Sequence, residues 1–540
     1  MTSPAKLFCL TSCAVFLMSS CRSEAAVRNE KFKILGVFPH PGKSHYDVFA
    51  PLIEELARRG HDLTVLSHFP SKEKLPNYKD ISLVGETGIY LNVVELSMLN
   101  HGPFHAIYEL AMLKTMAVAG CASILEKPDV KKLINSDEKF DLVIVEAFNT
   151  DCPLGFVHKF KAPFIGISSS QIMPWTHHRL GNPSNPSYVP VILKQLAPDM
   201  SFWERVTNAV HLVAVRLAYD LFFMRETQVL VEEAFGPGVP PLDDIAKNMS
   251  ALLINSHFSL HGSVPTSKQI VEVGGLHIRG SKPLPKHIKD FLDSAEKEGV
   301  LLFSWGSMIK TSSMTKELLD MIVKVLANLK QKVIWKWESD LPNLPKNVMI
   351  QSWLPQYDIL SHPNVKGFLT HGGLLGVSEG IDRGVPMLVV PMYGDQGLNA
   401  AAAAARGAAI ILQLEDLTEK TLSDGLNEIL NNPRYRRDAK AVSEAYRDRP
   451  SSALETAVWW TEYVARGKGV PFLPSVATHL SFVQYYLLDV IAFLLLATSG
   501  VIFIIFFAIK ALRGRKVGGS ATTAGKSNGV KKSEIDKKRA

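Results

Sequence analysis

The residues best placed to do chemistry lie in one stretch, Phe368-Leu-Thr-His-Gly-Gly-Leu-Leu-Gly-Val-Ser-Glu-Gly-Ile-Asp-Arg-Gly-Val-Pro-Met-Leu-Val-Val-Pro-Met-Tyr-Gly-Asp-Gln396. An apolar strand runs up to Thr370, His371-Gly372-Gly373 follow, and a helical pattern begins at once. Two glycines let a ligand approach the backbone closely, and the free N–H groups of a helix N-terminus suit a pyrophosphate. His371 can donate a further hydrogen bond to a phosphate oxygen. Glu379, deeper in the helix, can accept bonds from the hydroxyls of a ribose. A second strand, Met387–Val390, ends at Pro391, and Asp395-Gln396 follow. A carboxylate beside an amide suits the vicinal hydroxyls of a sugar.

A second set of residues could move a proton. His40 and His45 both fall in the loop after the first predicted strand, Lys33–Phe38. A loop histidine with a carboxylate partner can take the proton of an attacking hydroxyl. No Asp-x-Asp pair and no clustered Cys/His spacing marks a metal site, so neither a metal nor a cofactor is expected.

Alternating strands and helices must position these groups. Lys33–Phe38 is followed by a helical pattern over Asp47–Arg59 that stops at Gly60, then by strands at Leu63–Leu66, Leu142–Val145 and Phe164–Ile167. Residues 170–260 are instead rich in aromatics, proline and helical stretches. A second series opens at Val300–Ser304, continues with a helix over Lys316–Leu329, and adds strands at Val333–Trp337, Val348–Gln351, Val365–Thr370, Met387–Val390 and Ala409–Leu412. One helical stretch, Arg434–Ala465, follows. This rhythm predicts an α/β protein with two doubly wound parallel sheets and a cleft between them, with ligands at the carboxyl ends of the strands.

The chain has 540 residues and a net charge of +7. Residues 510–540 hold ten basic and two acidic residues, and residues 1–25 a net +1, so the +8 and +1 leave the body at −2. A near-neutral body excludes nucleic acid as an expected partner. Leu7–Ser20 is an uncharged run too short to span a bilayer and reads as a signal peptide over 1–25. Val490–Ile509 is twenty uncharged residues, enough to cross the hydrocarbon layer, with Lys510, Arg513, Arg515 and Lys516 directly after it. The expected topology is single-pass, type I: luminal body, membrane helix over 487–509, and a basic cytosolic tail over 510–540. The tail's Lys537-Lys538 match a retrieval address of the endoplasmic reticulum. Asn248-Met249-Ser250 is an open glycosylation sequon, whereas Asn182 and Asn185 are blocked by proline. Besides Cys9, Cys13 and Cys21 in the leader, only Cys121 and Cys152 remain, and two buried free thiols are favoured over a bridge.

The run from Thr370-His-Gly-Gly through Glu379, Pro386 and Pro391 to Asp395-Gln396, with Trp353-Leu-Pro-Gln356 upstream, resembles the signature of the UDP-glycosyltransferase family, and wording such as Glu146-Ala-Phe-Asn-Thr-Asp-Cys152 is similar to its insect branch. The resemblance covers nearly the whole chain. It implies the GT-B fold, with an acceptor-binding domain over 26–290 and a UDP-sugar-binding domain over 291–480. It also implies metal-free, inverting transfer of a hexose, with glucose as the expected sugar, to a hydroxyl of a small lipophilic acceptor. UDP-sugar is then a co-substrate, and an oligomer with itself or with relatives is a possible partner state. Carried over residue by residue, Trp353 would stack on uracil, Gln356 and Glu379 would bond the ribose, and Ser307, His371, Gly372, Gly373 and Gly376 would meet the phosphates. Asp395 and Gln396 would hold the sugar. Ser44-His45-Tyr46 aligns with the family's base, so His45 is preferred to His40. The family's partner aspartate falls at Glu146, with Asp151 as the alternative. Leu375 stands where many relatives have Asn, which shifts phosphate binding there to backbone N–H groups. Two other readings stay open: a UDP-sugar-binding homologue with weak turnover, and a transferase acting on membrane lipids.

Overall fold

The computed structural model describes residues 30–85, 88–99 and 105–517. The expected signal peptide, the three leader cysteines and the tail beyond residue 517, including Lys537-Lys538, lie outside them. Two compact units divide at Thr478/His479.

The first unit contains two parallel sheets. Sheet one has seven strands, β1 (Lys33–Phe38), β2 (Asp62–Ser67), β3 (Tyr78–Ser82), β4 (Leu142–Glu146), β5 (Phe164–Ser168), β6 (Ala251–Ile254) and β7 (Ile270–Glu272), in the order β3-β2-β1-β4-β5-β6-β7. Sheet two has β8 (Val300–Ser304), β9 (Lys332–Lys336), β10 (Val348–Gln351), β11 (Val365–Thr370), β12 (Met387–Val389) and β13 (Ala409–Ile411), in the order β10-β9-β8-β11-β12-β13. The central strands are apolar almost throughout because helices cover both faces: β1, β4, β8 and β11 are buried along nearly their whole length. The strands expected from sequence all form. β3, β6 and β7 are additional. β3 is a polar edge strand and the other two are four and three residues long, too little periodicity to read alone.

The helices that matter for the site are α1 (Lys43–Arg58), α2 (His105–Glu126), α3 (Phe202–Ala218), α4 (Leu374–Arg383), α5 (Gln396–Ala405) and α6 (Ala453–Arg466). α1 begins four residues before the expected start, so His45 sits in its first turn rather than in a loop. The single helical stretch expected over Arg434–Ala465 is two helices. Pro433–Arg447 ends before Pro450, and Ser452 caps α6 by accepting the N–H of Glu455. Although it follows sheet two in sequence, α6 sends Ala457, Val458, Val464 and Ala465 into the core of sheet one, against Val48, Ile53 and Ile165. The segment assigned by sequence to the second domain up to residue 480 therefore includes a helix that completes the first.

Cys121 and Cys152 are joined in a disulfide, which corrects the expectation of free thiols. The two residues stand 31 apart in sequence, on α2 and after β4, and only the packing of that helix over that strand end brings them together.

In the second unit, the helix Leu488–Val517 is long and apolar enough to cross a membrane. Its apolar portion, Leu488–Arg513, has a mean hydropathy of 2.8 and no buried residues. It runs past the expected end at residue 509. Two helices of the first unit, α2 and the continuous Phe202–Phe235, also reach membrane length, but each is partly buried in the protein.

Candidate functional site

Both sheets reverse their strand order between two neighbours, β1/β4 in the first and β8/β11 in the second. Crevices open at such points beyond the carboxyl ends of the strands. His45 follows β1 and Glu146 ends β4; Ser307 follows β8 and His371 follows β11. A segment of the first lobe ties the two crevices together. Tyr90 N–H donates to the Pro41 carbonyl at 3.1 Å, Asn92 N–H to that of Ser307 at 2.8 Å and Val93 N–H to that of Met308 at 2.9 Å. Between them lies a cavity of about 440 Å³. His45, Ser307, Trp353, Gln356, His371, Gly373, Gly376, Glu379, Asp395 and Gln396 all line it. Gly372, Glu146 and Asp151 do not.

On the second lobe, α4 starts after Gly373, and its first intrahelical bond is Val377 N–H to the Gly373 carbonyl at 3.0 Å. The N–H groups of Leu374, Leu375 and Gly376 are thus left for another acceptor. The Leu375 side chain packs against the core of the first lobe, leaving its backbone to this task. The His371 ring is clamped between Gly306 and Gly373: a Cβ on either would come within about 2.5 Å of it. Burial, with nearby Lys336, pulls its pKa down to about 4, so at neutral pH it is an uncharged ring with one N–H to give. Its Nδ1 is buried without a hydrogen-bond partner.

Trp353 lines the cavity and is 52% exposed, and the Lys43 ammonium lies 5.9 Å from its ring centroid. Gln356 Nε2 donates to Glu379 Oε2 at 2.7 Å, and His277 Nε2 stands 3.7 Å from the other carboxylate oxygen. Burial raises the Glu379 carboxyl to about 7, opposed by the Gln356 bond. Sequence reasoning missed His277; it lies far from the motif, and only folding brings it behind Glu379. Gln396 Oε1 accepts the N–H groups of Met392 and Tyr393 at 2.9 and 3.2 Å, leaving its Nε2 as the donor. Asp395 Oδ2 accepts from Asn399 Nδ2 at 2.9 Å, and burial pushes its carboxyl up.

On the first lobe, His45 Nδ1 meets Glu146 Oε1 at 2.7 Å. The pair is enclosed, with side-chain exposures of 16% and 2%. The second Glu146 oxygen accepts the backbone N–H of His40 at 3.3 Å. The His40 ring stacks on His45 with centroids 4.0 Å apart, its Nδ1 accepts the N–H of Gly42, and burial drives its pKa well down. His40, His45 and Glu146 offer ligand atoms within 4.8 Å of one another, and the Nδ1 atoms and both carboxylate oxygens already hold hydrogen bonds. Asp151 faces away from the cavity. It forms a two-pronged ion pair with the buried Arg179, at 2.8 and 2.7 Å, and does not reach His45. The wall beyond His45 is apolar: Met112 and Met116 from α2, with Phe148, Met173, Trp175 and Ile192. The disulfide pins α2 to the loop after β4 and so fixes one side of this wall against the other.

The family pattern described as UDP-glucoronosyl and UDP-glucosyl transferase matches residues 35–519. UDP-glycosyltransferase UGT5 of Dactylopius coccus is 38% identical over 485 residues, covering 89% of this chain and 92% of that one. UDP-glucosyltransferase 2 of the same insect is 36% identical, covering 89% and 93%. Human UDP-glucuronosyltransferase 2B15 is 32% identical, covering 86% and 90%. Among solved structures, the kitacinnamycin glycosyltransferase superposes with a TM-score of 0.54 at 18% identity, covering 82% of this chain and all of that one. VinC, bound to dTDP, gives 0.53 at 19% identity, covering 81% and all of that chain. These two share the GT-B fold with the present protein. The family pattern over residues 35–519 and relatives at 32–38% identity over most of the chain show that the protein belongs to the UDP-glucuronosyl and UDP-glucosyl transferase family, transferring sugar from a UDP-sugar donor.

Proposed function

We propose that the protein transfers a hexose, glucose as the preferred sugar, from its UDP donor to the hydroxyl of a small lipophilic acceptor, with inversion and without a metal. The observation that carries this reading is the enclosed His45–Glu146 pair at the mouth of an apolar pocket. A carboxylate on Nδ1 holds the proton there and leaves Nε2 as the basic nitrogen. The acceptor hydroxyl gives its proton to Nε2 as its oxygen bonds the anomeric carbon. The bond from that carbon to the β-phosphate oxygen breaks on the opposite face, and UDP carries the electron pair away. Charge gathers on the pyrophosphate, where the free N–H groups of α4 and the neutral His371 ring are aimed. Helix dipole and hydrogen bonds thus take the part a cation plays in other transferases.

The apolar wall and the two Met side chains of α2 suit a flat, adaptable range of phenols and alcohols. We place the enzyme in the endoplasmic reticulum membrane with its body luminal and its tail cytosolic. The disulfide needs an oxidising compartment, Lys510 and Arg513 follow the apolar helix, and Asn248 of the sequon is exposed.

The test is His45→Ala assayed on membranes with UDP-glucose and a panel of phenols. Turnover is expected to fall by about 10²–10⁴-fold with UDP affinity retained, and the wild-type product from the α-linked donor is expected to be the β-glucoside. Full activity in the variant, or an α-linked product, would overturn the mechanism.

A further inference from the structure

One carboxylate in the cavity bridges the two lobes without belonging to the proton-transfer pair or the donor motif. Glu109 lies on α2, the acceptor-side helix, and is only 5% exposed. Its Oε1 accepts the N–H of Gly394 at 2.7 Å. Gly394 sits inside the Tyr393-Gly394-Asp395-Gln396 loop, so an acceptor-lobe side chain is bonded to the loop that holds the donor sugar. This is the one side-chain hydrogen bond to that loop that comes from across the cleft among the described residues.

The charges around it are one-sided. The described residues lining the cavity include the carboxylates Asp47, Glu109, Asp358, Glu379 and Asp395, but Lys336 alone among lysines and arginines. Lys336 is spent on Glu338 and stands near His371, at the phosphate end. Asp47 is paired with Lys43. At the sugar end stand Glu109, within ion-pair distance of His105 on its outer side, and Asp395. Burial raises the Asp395 carboxyl, and the Glu109 charge pushes it the same way. His105, one turn before Glu109 and 3.3 Å from it, is the basic group on its outer side, with a side chain 31% exposed.

We propose that Glu109 is a donor-specificity residue: reaching across the cleft onto the sugar loop, it sets a buried negative charge beside the sugar, so the site admits an uncharged hexose and rejects a hexuronate. A uronate carboxylate would have to shed its water next to two acids with no lysine or arginine to meet it. An uncharged hexose meets the same oxygens as hydrogen-bond acceptors for its hydroxyls. The inference rests on the reading that the sugar lies at Asp395-Gln396.

The test compares wild-type full-length enzyme with Glu109→Gln in detergent, using one phenol acceptor and UDP-glucose or UDP-glucuronate. Gln retains an oxygen for Gly394 N–H and removes the charge. The ratio of kcat/KM for UDP-glucose over UDP-glucuronate is expected to fall by about 10²–10³-fold, the order expected of one like charge about 4–6 Å away at an effective dielectric of about 20. The ratio is taken within one preparation, so it does not depend on how much protein folds. The same ratio of dissociation constants serves if turnover drops. A ratio unchanged in Glu109→Gln overturns the inference, as does a wild-type enzyme that prefers UDP-glucuronate. A wild-type preference for another uncharged hexose overturns only the choice of glucose.

Discussion

Glu146 and Asp151 stand five residues apart, and packing gives them different partners: a histidine in the cleft for one, a buried arginine for the other. Their substitutions should separate accordingly. Glu146→Gln keeps the shape but can hold the wrong tautomer of His45, so kcat is expected to fall by about 10²–10⁴-fold with little change in melting temperature. Asp151→Asn removes the two-pronged partner of Arg179 but leaves Asp243 on its Nε, and is expected to cost about 1.5–3 kcal/mol of stability, read by thermal denaturation, with turnover per folded molecule nearly kept. Glu379 makes a prediction in pH. Its carboxyl is raised to about 7, and its proposed contact with the ribose hydroxyls needs the ionised form. Falling pH protonates it, so KM for the UDP-sugar should rise below about pH 7, by up to about tenfold per unit. Glu379→Gln should bind donor more weakly and flatten that dependence; a steep profile surviving in the variant would show that another group titrates.

Among the elements, α2 serves the site most and shows it least in sequence. It brings Met112 and Met116 to the proposed acceptor wall, Glu109 to the Tyr393–Gln396 loop and Cys121 to the disulfide. Replacing both Cys121 and Cys152 by Ala is expected to lower stability by about 2–4 kcal/mol. It should also raise the acceptor KM more than the donor KM, because the bridge fixes the acceptor wall and not the second lobe. Equal changes in both would mean that the bridge acts only on overall stability. α4 behaves differently. Its start, its glycines and its anion-binding end are local properties, and it forms where the sequence places it.

For the molecule as a whole, the chain does not divide into two self-sufficient halves. α6 returns from the end of the second lobe to fill the core of the first. A chain ending at residue 448 would leave Val48, Ile53 and Ile165 without that cover. It is expected to lose cooperative unfolding of the first lobe, and a separate piece carrying residues 449–478 should restore it. Independent, unchanged melting of residues 26–290 alone would contradict this. The returning helix, with the Tyr90–Val94 segment that hydrogen-bonds Ser307 and Met308, couples the lobes on either side of the cleft.

Reading the chain alone determined what depends on neighbours in sequence. Buried parallel strands are continuous apolar runs, so β1, β8 and β11 are legible to the residue. The donor motif was legible because strand, glycine pair and helix start are adjacent. The sequence singles out His45 but not its place in the first turn of α1. Tertiary structure alone decided what rests on distance through space. Glu146 rather than Asp151 meets His45, Cys121 joins Cys152, α6 crosses to the first lobe, and Glu109 reaches Gly394 from 285 residues away. Composition and periodicity record which face of an element is apolar. They carry no term for which distant charge, thiol or carboxylate that face will meet once the sheets are packed.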